Sequence, residues 1–399
     1  EELAQLESRN VGKPISDARA EVAATAAVLD FYAGAAPTID GTVAPVSAPG
    51  LDLALREPVG VCGLIVPWNF PLFTAAIKVA PALGAGNPVV LKPAELTPLT
   101  AVVLGEILVE AGLPTGCVAI LPGAGPVLGA ALVRDPRVAK VSFTGSTTVG
   151  IEILRGAAPN ISRVSLELGG KSSNLIFADA DLDTAATAAV AAVFGNAGQD
   201  CCARSRILVE RTAYDAFLER FLVETNALRV GDPLDETTQM GPLISESQRA
   251  RVLGYVEDGR ASGATLLRGG GAPDRADLTT GPYVAPTVFA DVTSRMRIAQ
   301  EEIFGPVAML LPFDGEDEAV ALANDVDYGL SGSIWTRNLA RALRVSRRVR
   351  AGALSVNSNQ SVHIEAPFGG VKRSGLGREL GTEALRQYTE IKNVYIAMD

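Results

Sequence analysis

The class of fold is indicated by the segment Val138-Ala139-Lys140-Val141-Ser142-Phe143-Thr144-Gly145-Ser146-Thr147-Thr148-Val149-Gly150. Its first part, Val138–Phe143, is a short apolar run that predicts a strand, and Gly145–Arg155 predicts a helix directly after it. Arg163–Glu167 predicts the next strand. A strand, a helix and a second strand in this order form a parallel β-α-β unit.

The same alternation continues on both sides of this unit. The pattern predicts strands at Pro88–Leu91, Cys117–Leu121 and Ser205–Val209, and helices at Thr97–Ala111 (capped by Thr97), within Gly123–Val133, at Ala180–Ala192 and at Ala213–Leu228. Gly269–Arg275 is rich in glycine and predicts a surface loop. We therefore expect an α/β fold with a Rossmann-like, doubly wound sheet and a second α/β domain.

Two segments lie outside this alternation. Pro37–Arg56 predicts an irregular hairpin, and Gln387–Ala397 predicts a terminal strand. Strands outside the main sheets are natural edges for pairing between subunits. We expect a first α/β domain of residues 1–36 and 57–169, a second of residues 170–381, and oligomerisation segments at 37–56 and 382–399.

Length and composition exclude several classes of protein. A chain of 399 residues with 48% hydrophobic and 5% aromatic content fits an α/β protein of two or three domains. The net charge is −10 without a run of basic residues, which speaks against nucleic acid or an anionic membrane as a partner. The Ala-rich run Thr184–Phe194 is shorter than the roughly 18 apolar residues that a membrane span needs.

Cysteine and histidine usage predicts a reducing compartment and no resident metal. Cys62, Cys117, Cys201 and Cys202 are too few and too scattered for a disulfide framework, so we expect a cytoplasmic protein. His363 is the single histidine and is expected at a loop or at the rim of a pocket. One histidine with scattered cysteines gives no zinc-ligand set.

The beginning of the chain has the pattern of a helix that is already under way. Leu3 and Leu6 share a face within Glu1–Arg9, and no capping residue precedes them. No basic segment followed by an apolar stretch opens the chain, so no signal peptide is visible. We therefore expect the natural N-terminus to be missing.

The segment Gly198-Gln199-Asp200-Cys201-Cys202 carries the strongest chemical signal. With one histidine in the chain, a carboxylate is the next proton acceptor to consider for a thiol nucleophile. Glu167 lies at the end of a predicted strand, 34 positions before Cys201 (201 − 167). The alternative is that both cysteines are ordinary buried residues. The polar, turn-forming residues Gly195–Asp200 argue against burial in a core.

Three other polar residues stand where a site is expected. Asn69 lies between two prolines, and a rigidly held amide can donate to an oxyanion, although an asparagine in a Pro-rich turn is common. Lys92 and Glu95 follow a predicted strand, where a glutamate can accept ribose hydroxyls. A solvated Lys-Glu pair is the alternative for these two.

Two glycine-rich turns compete for a pyrophosphate. Gly123–Gly129 resembles a dinucleotide fingerprint, but its last spacing is one residue too long. Gly145–Gly150 opens a helix directly after a strand, as an anion site at a helix N-terminus requires. Each turn is a weak signal when it is taken alone.

Together these segments resemble the aldehyde dehydrogenase superfamily over nearly the whole chain. The matching segments, in chain order, are Pro67-Trp68-Asn69-Phe70-Pro71, Lys92-Pro93-Ala94-Glu95, Phe143-Thr144-Gly145-Ser146, Glu167-Leu168-Gly169-Gly170-Lys171, Gly198-Gln199-Asp200-Cys201, Glu301-Glu302-Ile303-Phe304-Gly305-Pro306 and Pro367-Phe368-Gly369-Gly370. Seven segments in the family's order make the resemblance very specific.

The resemblance implies a role for each catalytic residue. Cys201 would attack the aldehyde, and Asn69 with the Cys201 N–H would hold the thiohemiacetal oxyanion. Hydride transfer to nicotinamide would leave a thioester, which water activated by Glu167 would hydrolyse to the acid. The implied partner is thus a small-molecule aldehyde.

The resemblance implies NAD as cofactor, with NADP as the alternative, and residues 1–36 and 57–169 as the NAD-binding domain. Lys92 and Glu95 would hold the adenosine ribose, and Glu302 the nicotinamide ribose. The carboxylate of Glu95 would favour NAD, because a 2′-phosphate would meet a negative charge. The full expected set is Ile65, Val66, Pro67, Trp68, Lys92, Glu95, Gly125, Gly129, Phe143, Thr144, Gly145, Ser146, Val149, Leu168, Gly169, Glu302 and Phe304.

The expected catalytic domain, residues 170–381, supplies part of a substrate tunnel. By position in the family, the tunnel residues are Phe70, Phe73, Ile77, Asp200, Cys202, Gln360, Val362 and Phe368. Asp200 beside the nucleophile favours an aldehyde with an ammonium end, of the amino or betaine type. Ile77 argues the other way, because relatives that bind quaternary ammonium often carry an aromatic ring there.

Two other activities remain open at the level of the sequence. A CoA-acylating relative would share Cys201 and the cofactor site, but such relatives generally lack the hydrolytic glutamate that Glu167 provides. A structural or binding relative that has lost turnover is the second alternative. Family members also carry an N-terminal segment before the point where this chain begins, and they lead us to expect a homodimer or homotetramer.

Overall fold

The computed structural model describes residues 1–278 and 280–398 of the chain. The chain divides into two compact units. Unit 1 comprises Glu1–Arg19, Leu168–Val362 and Gly369–Gly375, and unit 2 comprises Ala20–Glu167, His363–Phe368 and Leu376–Asp399. Across the described ranges, no helix has both the length and the apolar character that crossing a membrane requires.

The helices have the following bounds: α1 Glu2–Val11, α2 Ile15–Ala35, α3 Pro71–Gly84, α4 Leu99–Glu110, α5 Ala130–Arg134, α6 Thr147–Ala157, α7 Leu182–Phe194, α8 Tyr214–Ala227, α9 Glu246–Ala261, α10 Arg297–Gln300, α11 Gly315–Asn324, α12 Leu339–Arg348 and α13 Gly381–Gln387. The strands are β1 Thr42–Ala44, β2 Gly50–Pro58, β3 Val61–Ile65, β4 Val89–Lys92, β5 Val118–Ile120, β6 Val138–Thr144, β7 Arg163–Glu167, β8 Ser173–Ile176, β9 Arg206–Glu210, β10 Thr265–Arg268, β11 Thr287–Ala290, β12 Val307–Phe313, β13 Ser331–Trp335, β14 Ala353–Val356, β15 Gly375–Leu376 and β16 Thr389–Ala397.

Unit 2 is built on a sheet whose parallel strands run in the order β7-β6-β3-β4-β5. The register places Ile65 opposite both Lys92 and Phe143, and Thr144 opposite Glu167. The carboxyl ends of four strands therefore meet at one edge of this sheet, where open α/β sheets bind ligands. The predicted β-α-β unit is confirmed as β6, α6 and β7.

Unit 2 also contains a separate antiparallel sheet of order β1-β2-β16. The predicted hairpin is confirmed, because Thr42 pairs with Ala54 and Ala44 with Asp52. The predicted terminal strand is β16, which pairs with β2 along its length, from Thr389 opposite Pro58 to Ala397 opposite Gly50.

Unit 1 is built on a second sheet, of order β10-β11-β12-β9-β8-β13-β14. Its strands are parallel, except that β10 and β11 form an antiparallel pair. Central strands such as β11 and β13 are buried along their length, as parallel strands covered on both faces must be. The predicted α/β fold with doubly wound sheets is confirmed, with an antiparallel strand at one edge.

Three local features differ from the sequence prediction. The strand β3 and the helix α3 precede Pro88, where the first strand of the predicted alternation begins. Thr97 does not cap α4, which begins at Leu99 after Pro98, because the Thr97 hydroxyl instead donates to the Trp68 carbonyl at 3.2 Å. The helix α7 begins at Leu182, two residues later than expected.

Candidate active site

One cavity of about 360 Å³ in unit 2 collects six of the predicted cofactor residues. Those six are Ile65, Lys92, Gly125, Gly129, Phe143 and Val149. The sequence prediction did not include the polar residues Arg134 and Glu152 or the helix residue Ile153, which also line it. Their only sequence signal was their position on the helices that follow the glycine-rich turns.

Lys92 and Glu95 fasten the first glycine-rich turn to the end of β4. The buried Lys92 ammonium donates to the Gly123 carbonyl at 3.1 Å and to the Pro93 carbonyl at 2.5 Å. Glu95 Oε1 accepts the Gly125 N–H at 2.6 Å. Burial lowers the pKa of Lys92, and the Glu95 charge acts against that shift. The alternative of a solvated Lys-Glu pair is therefore wrong for Lys92, which is 4% exposed, whereas Glu95 is exposed.

The second glycine-rich turn begins α6 at the end of β6. The Ser146 hydroxyl accepts the Val149 N–H at 3.4 Å as the helix cap, and the Gly145 N–H donates to the Glu167 carbonyl at 3.0 Å. A side chain at Gly145 would have its Cβ only 2.5 Å from Phe143 Cζ, so the Phe143 ring would have to shift to admit any other residue there. The turn presents a helix N-terminus at the strand ends, which is a site that attracts anions.

The predicted base and oxyanion donor both lie in unit 2. Glu167 is the last residue of β7 and is 5% exposed. Asn69 is 4% exposed and precedes α3, whose first turn is fixed by a hydrogen bond from the Thr74 N–H to the Phe70 carbonyl at 2.9 Å. Glu21 holds the same turn by accepting the Phe73 N–H at 3.2 Å.

The other predicted residues of unit 2 have varied surroundings. Val66 and Ile77 are buried, and Pro67 and Trp68 are partly exposed. Phe368 is 8% exposed and exchanges two backbone hydrogen bonds of 2.7 Å with Glu379. Their assignment to cofactor and substrate stays a prediction.

The proposed nucleophile lies in unit 1, at the end of a tightly folded turn. Asn196 and Ala197 have left-handed backbones with φ of 48° and 55°. A side chain at Gly198 would bring its Cβ within 2.2 Å of the Gly305 carbonyl oxygen. Gln199 is 0% exposed, and its Oε1 accepts the Ile244 N–H at 2.8 Å.

The polar turn predicts that the two cysteines after it lie outside a core; this is confirmed for Cys201 and wrong for Cys202, and the turn itself is buried. Asn196, Ala197 and Gln199 are all buried, because their amide groups are satisfied by hydrogen bonds within the turn and to neighbouring loops. Cys201 remains partly exposed and Cys202 is 4% exposed.

The charges around Cys201 favour its protonated form. The hydrogen bond with the Cys202 side chain, together with burial and the negative charges of Asp200 and Glu302, raises the pKa of the Cys201 thiol well above its usual value. Asp200 Oδ1 accepts the Cys202 N–H at 2.8 Å, which fixes one of those charges beside the thiol. Deprotonation of this thiol therefore requires a base or a change in its surroundings.

The sequence predicted no metal-ligand set, but three neighbouring side chains of this loop have the geometry of one. Donor atoms of Asp200, Cys201 and Cys202 all lie within 4.8 Å of one another. Two thiols and one carboxylate are a set that soft divalent cations accept. The absence of a resident metal stays a prediction.

Glu302 lies against the Gly169-Gly170 pair in unit 1. Its Oε1 accepts the Gly170 N–H at 2.9 Å. A Cβ at Gly169 would lie 2.3 Å from Glu302 Oε2, and one at Gly170 would lie 2.3 Å from the Cys201 carbonyl oxygen. The two glycines thus let the Glu302 carboxylate and the Cys201 backbone approach the same segment closely. Burial raises the pKa of Glu302 to about 7.

The remaining predicted residues of unit 1 differ in their hydrogen bonds and their exposure. Phe304 has a left-handed φ of 60°, and its carbonyl accepts from the Gln248 side chain at 2.7 Å. The Leu168 N–H donates to the Ser374 carbonyl at 2.8 Å. Gln360 is exposed, and Val362 is 40% exposed.

Two buried cations next to the nucleophile loop and the glycine pair were not predicted as site residues. Arg204 donates to the Cys202 carbonyl at 2.9 Å and to the Ser361 hydroxyl at 2.7 Å, and so joins the nucleophile loop to the segment of Gln360. Lys171 directly follows the Gly169-Gly170 pair and is 2% exposed. A signal for Lys171 was available, since it ends a motif segment.

The chain belongs to the aldehyde dehydrogenase family. The model of that family, described as "Aldehyde dehydrogenase family", matches residues 1–394. The resemblance found in the sequence is thereby confirmed.

Similar proteins and structures agree with this assignment. A betaine aldehyde dehydrogenase of Cereibacter sphaeroides is 47% identical over 401 residues, which cover 100% of this chain and 81% of that protein. A mitochondrial aldehyde dehydrogenase of Leishmania tarentolae is 48% identical over 398 residues, covering 99% of this chain and 79% of the other. The crystal structure of PnpE from Pseudomonas sp. WBC-3 superposes with a TM-score of 0.98 at 44% identity, covering 100% of this chain and 82% of that one.

Proposed function

We propose that this chain oxidises an aldehyde to the carboxylic acid with NAD as the hydride acceptor. Family membership over residues 1–394 supports the reaction class. Similar structures include an NAD-dependent aldehyde dehydrogenase of Sinorhizobium meliloti and a complex of PnpE with nicotinamide adenine dinucleotide, which supports the cofactor. The observation that carries the proposal is the retention of both Cys201 and Glu167 within the family's segments.

The proposed mechanism uses three side chains. The thiolate of Cys201 adds to the aldehyde carbon, and the Asn69 amide with the Cys201 N–H stabilises the oxyanion of the thiohemiacetal. Loss of hydride to the cofactor leaves a thioester on the same sulfur. Glu167 then takes a proton from water, which attacks the thioester and releases the acid together with the thiolate.

The residues in unit 2 fit the adenosine half of NAD. The cavity of about 360 Å³ is walled by Ile65, Phe143 and Val149, which suits a flat aromatic base. Glycines at 125 and 129 leave room beside Lys92. The proposed pyrophosphate site is the N-terminus of α6 with Ser146, and Glu95 is proposed to disfavour NADP through its charge.

We further propose a preference for betaine-type or amino aldehydes. Several relatives are betaine aldehyde dehydrogenases, including one of Bacillus subtilis at 43% identity over 99% of this chain and 81% of that protein. The fixed carboxylate of Asp200 beside Cys201 supports the same preference, because it would attract a cationic substrate end.

A comparison of three aldehydes tests the substrate proposal. The purified chain is assayed for NADH formation with betaine aldehyde, 4-aminobutanal and butanal, and with NADP in place of NAD. We expect kcat/KM to be larger for the two cationic aldehydes, and Asp200→Ala to lower that ratio by about tenfold, because it removes one close charge. The same ratio in wild type and variant would contradict the proposed role of Asp200, and a clear preference for NADP would contradict that of Glu95.

We also propose a role for each domain, an oligomeric assembly and a cellular location. We propose that residues 1–36 and 57–169 bind the cofactor, that residues 170–381 carry the nucleophile, and that segments 37–56 and 382–399 join subunits of a homodimer or homotetramer. All four cysteines are free thiols, which supports a reducing, cytoplasmic location.

A further inference from the structure

Lys171 is a buried cation that lacks a hydrogen-bond partner. Its side chain is fully enclosed, and among the described residues no acceptor lies within hydrogen-bond reach of its Nζ. An ammonium group in such a place is costly unless an opposite charge compensates it. The charges that face Lys171 therefore decide its role.

Glu302 is the less exposed of the two carboxylates whose charges act on Lys171. The negative charges of Glu302 and Glu301 act on Lys171 favourably, and Arg206 acts unfavourably. Glu301 is half-exposed and already bonds Arg297 at 3.0 Å and the Tyr255 hydroxyl at 2.8 Å. Glu302 is therefore the main counter-charge for this lysine.

Arg206 fixes the backbone of Lys171 without neutralising it. The buried guanidinium donates to the Lys171 carbonyl at 2.9 Å and to the carbonyls of Leu322 and Ala323 at 2.7 and 2.9 Å. Two buried cations thus lie next to each other. Their repulsion disfavours the ionised form of Lys171, and a nearby carboxylate offsets that effect.

Glu302 depends on Lys171 in the same way. The Gly170 N–H, Lys171 and Arg251 stabilise its ionised form, whereas burial and the charge of Asp200 oppose it. Arg251 also donates to the Glu302 backbone carbonyl at 3.1 Å. Burial lowers the pKa of Lys171 to about 7 and raises that of Glu302 to about 7, and in each group the charge of the other acts against that shift.

We propose that Lys171 is a positioning residue that keeps the Glu302 carboxylate ionised so that it can accept both hydroxyl groups of the nicotinamide ribose. An ionised carboxylate only accepts hydrogen bonds, whereas a protonated one offers a donor to hydroxyls that must themselves donate. The inference rests on the proposed function, because Glu302 binds the ribose only if the chain binds NAD.

The direction of the pH dependence follows from the raised pKa of Glu302. Below about pH 7 Glu302 takes up a proton in the wild type, so NAD binding weakens as pH falls through 7. Lys171→Met removes a charge that lowers the Glu302 pKa, so this pKa rises and the loss of affinity moves to higher pH. Near pH 7 the Kd of NAD should become about fivefold larger if the Glu302 pKa rises by about one, because the ionised fraction falls from about one half to about one tenth, and it should return to the wild-type value in alkaline solution.

The experiment measures the Kd of NAD by titration calorimetry from acidic to alkaline pH. The proteins are the wild type, Lys171→Met, Glu302→Gln and the double variant, with the melting temperature as a check of folding. Glu302→Gln should bind NAD more weakly and without the pH dependence near neutrality. Lys171→Met should shift the pH profile, and in the Glu302→Gln background it should change Kd by less than about twofold, because its effect passes through the carboxylate.

The outcomes separate this inference from the proposed function. If Glu302→Gln leaves the Kd of NAD unchanged at every pH, the assignment of Glu302 to the ribose is wrong. If Glu302→Gln weakens binding but Lys171→Met follows the wild-type profile, or weakens binding equally at every pH, the role of Lys171 is wrong while NAD binding stands. Should Lys171→Met fail to fold, Lys171→Gln, which also removes the charge but keeps a polar end, supplies the same comparison alone and in the Glu302→Gln background.

Discussion

Cys201, as the proposed nucleophile, lies among groups that disfavour its thiolate. The Cys202 side chain, burial, Asp200 and Glu302 all raise the pKa of its thiol. A thiol in such surroundings is protected from indiscriminate reaction, because the thiolate is the reactive form. It also has to lose its proton before it can attack, so the rate of any reaction at this sulfur should rise with pH.

Glu167 is the residue whose replacement separates the two halves of the proposed reaction. Glu167→Gln retains the shape of the side chain but removes the base that activates water, so the thioester should form and then accumulate. We expect a burst of NADH followed by turnover slowed roughly 10²- to 10⁴-fold, as for the loss of a general base. Rapid-mixing kinetics give the burst, and mass spectrometry locates the acyl group on residue 201.

Glu110→Gln is a matched control, because Glu110 is an exposed glutamate at the end of α4. It should turn over as the wild type does and show no accumulated acyl group. If Glu167→Gln slows the burst itself, or if no acyl group is found on Cys201, Glu167 is not the base for hydrolysis.

The helices and strands that the sequence predicted correctly are those that depend on a local pattern of residues. β6, α6 and β7 are present because an apolar run, a glycine turn with a serine cap and a second apolar run follow one another. β3 and α3 were missed, since α3 is apolar on nearly all sides and contains Pro81, so it lacks a helical stripe. The buried conformation of Gly195–Gln199 was also missed, because its hydrogen bonds reach distant loops.

The hydrogen bond between Gly170 and Glu302 is another contact that local sequence could not predict. The two residues are 132 positions apart, and only the fold brings them within 2.9 Å. The family resemblance pointed to Glu302 by its motif. The neighbours that act on its charge, the buried Lys171 and the exposed Arg251, required the structure.

The glycine turn before α5 supports a prediction about the proposed adenosine pocket. An added Cβ at Gly129 would lie 3.7 Å from Lys92 Cδ, so alanine fits there, but a leucine would extend into the cavity. Gly129→Leu should therefore raise the Kd of NAD by about 10- to 100-fold, as expected for an overpacked contact of roughly 1–3 kcal/mol. Fluorescence titration with NAD measures the effect.

Gly254→Leu provides the control for this substitution. Gly254 is an exposed position in α9 with no heavy atom within 4 Å of an added Cβ, so NAD binding should be unaffected. Equal Kd values for Gly129→Leu and the wild type, with unchanged melting temperatures, would show that the cofactor base binds elsewhere.

At the level of the whole molecule, the sheet of β1, β2 and β16 is the surface that an assembly would use. Its strands expose large apolar side chains, with Val43 and Ile391 each 65% exposed and Tyr395 44% exposed. β1 and β16 are the outer strands of this sheet, and their backbone groups can extend it across subunits. Exposed apolar strands of this kind are otherwise a liability for aggregation.

Ile391→Glu tests the proposed assembly, because it places a charge on β16 where an apolar contact is expected. A buried, unpaired carboxylate in an interface costs about 3–5 kcal/mol, so the variant should dissociate into smaller species at concentrations where the wild type stays assembled. Light scattering coupled to size-exclusion chromatography measures the mass. Ile161→Glu is the matched control, since Ile161 is 90% exposed but lies outside this sheet. If both variants have the mass of the wild type, subunits join through another surface, and the apolar face of β16 needs a different explanation.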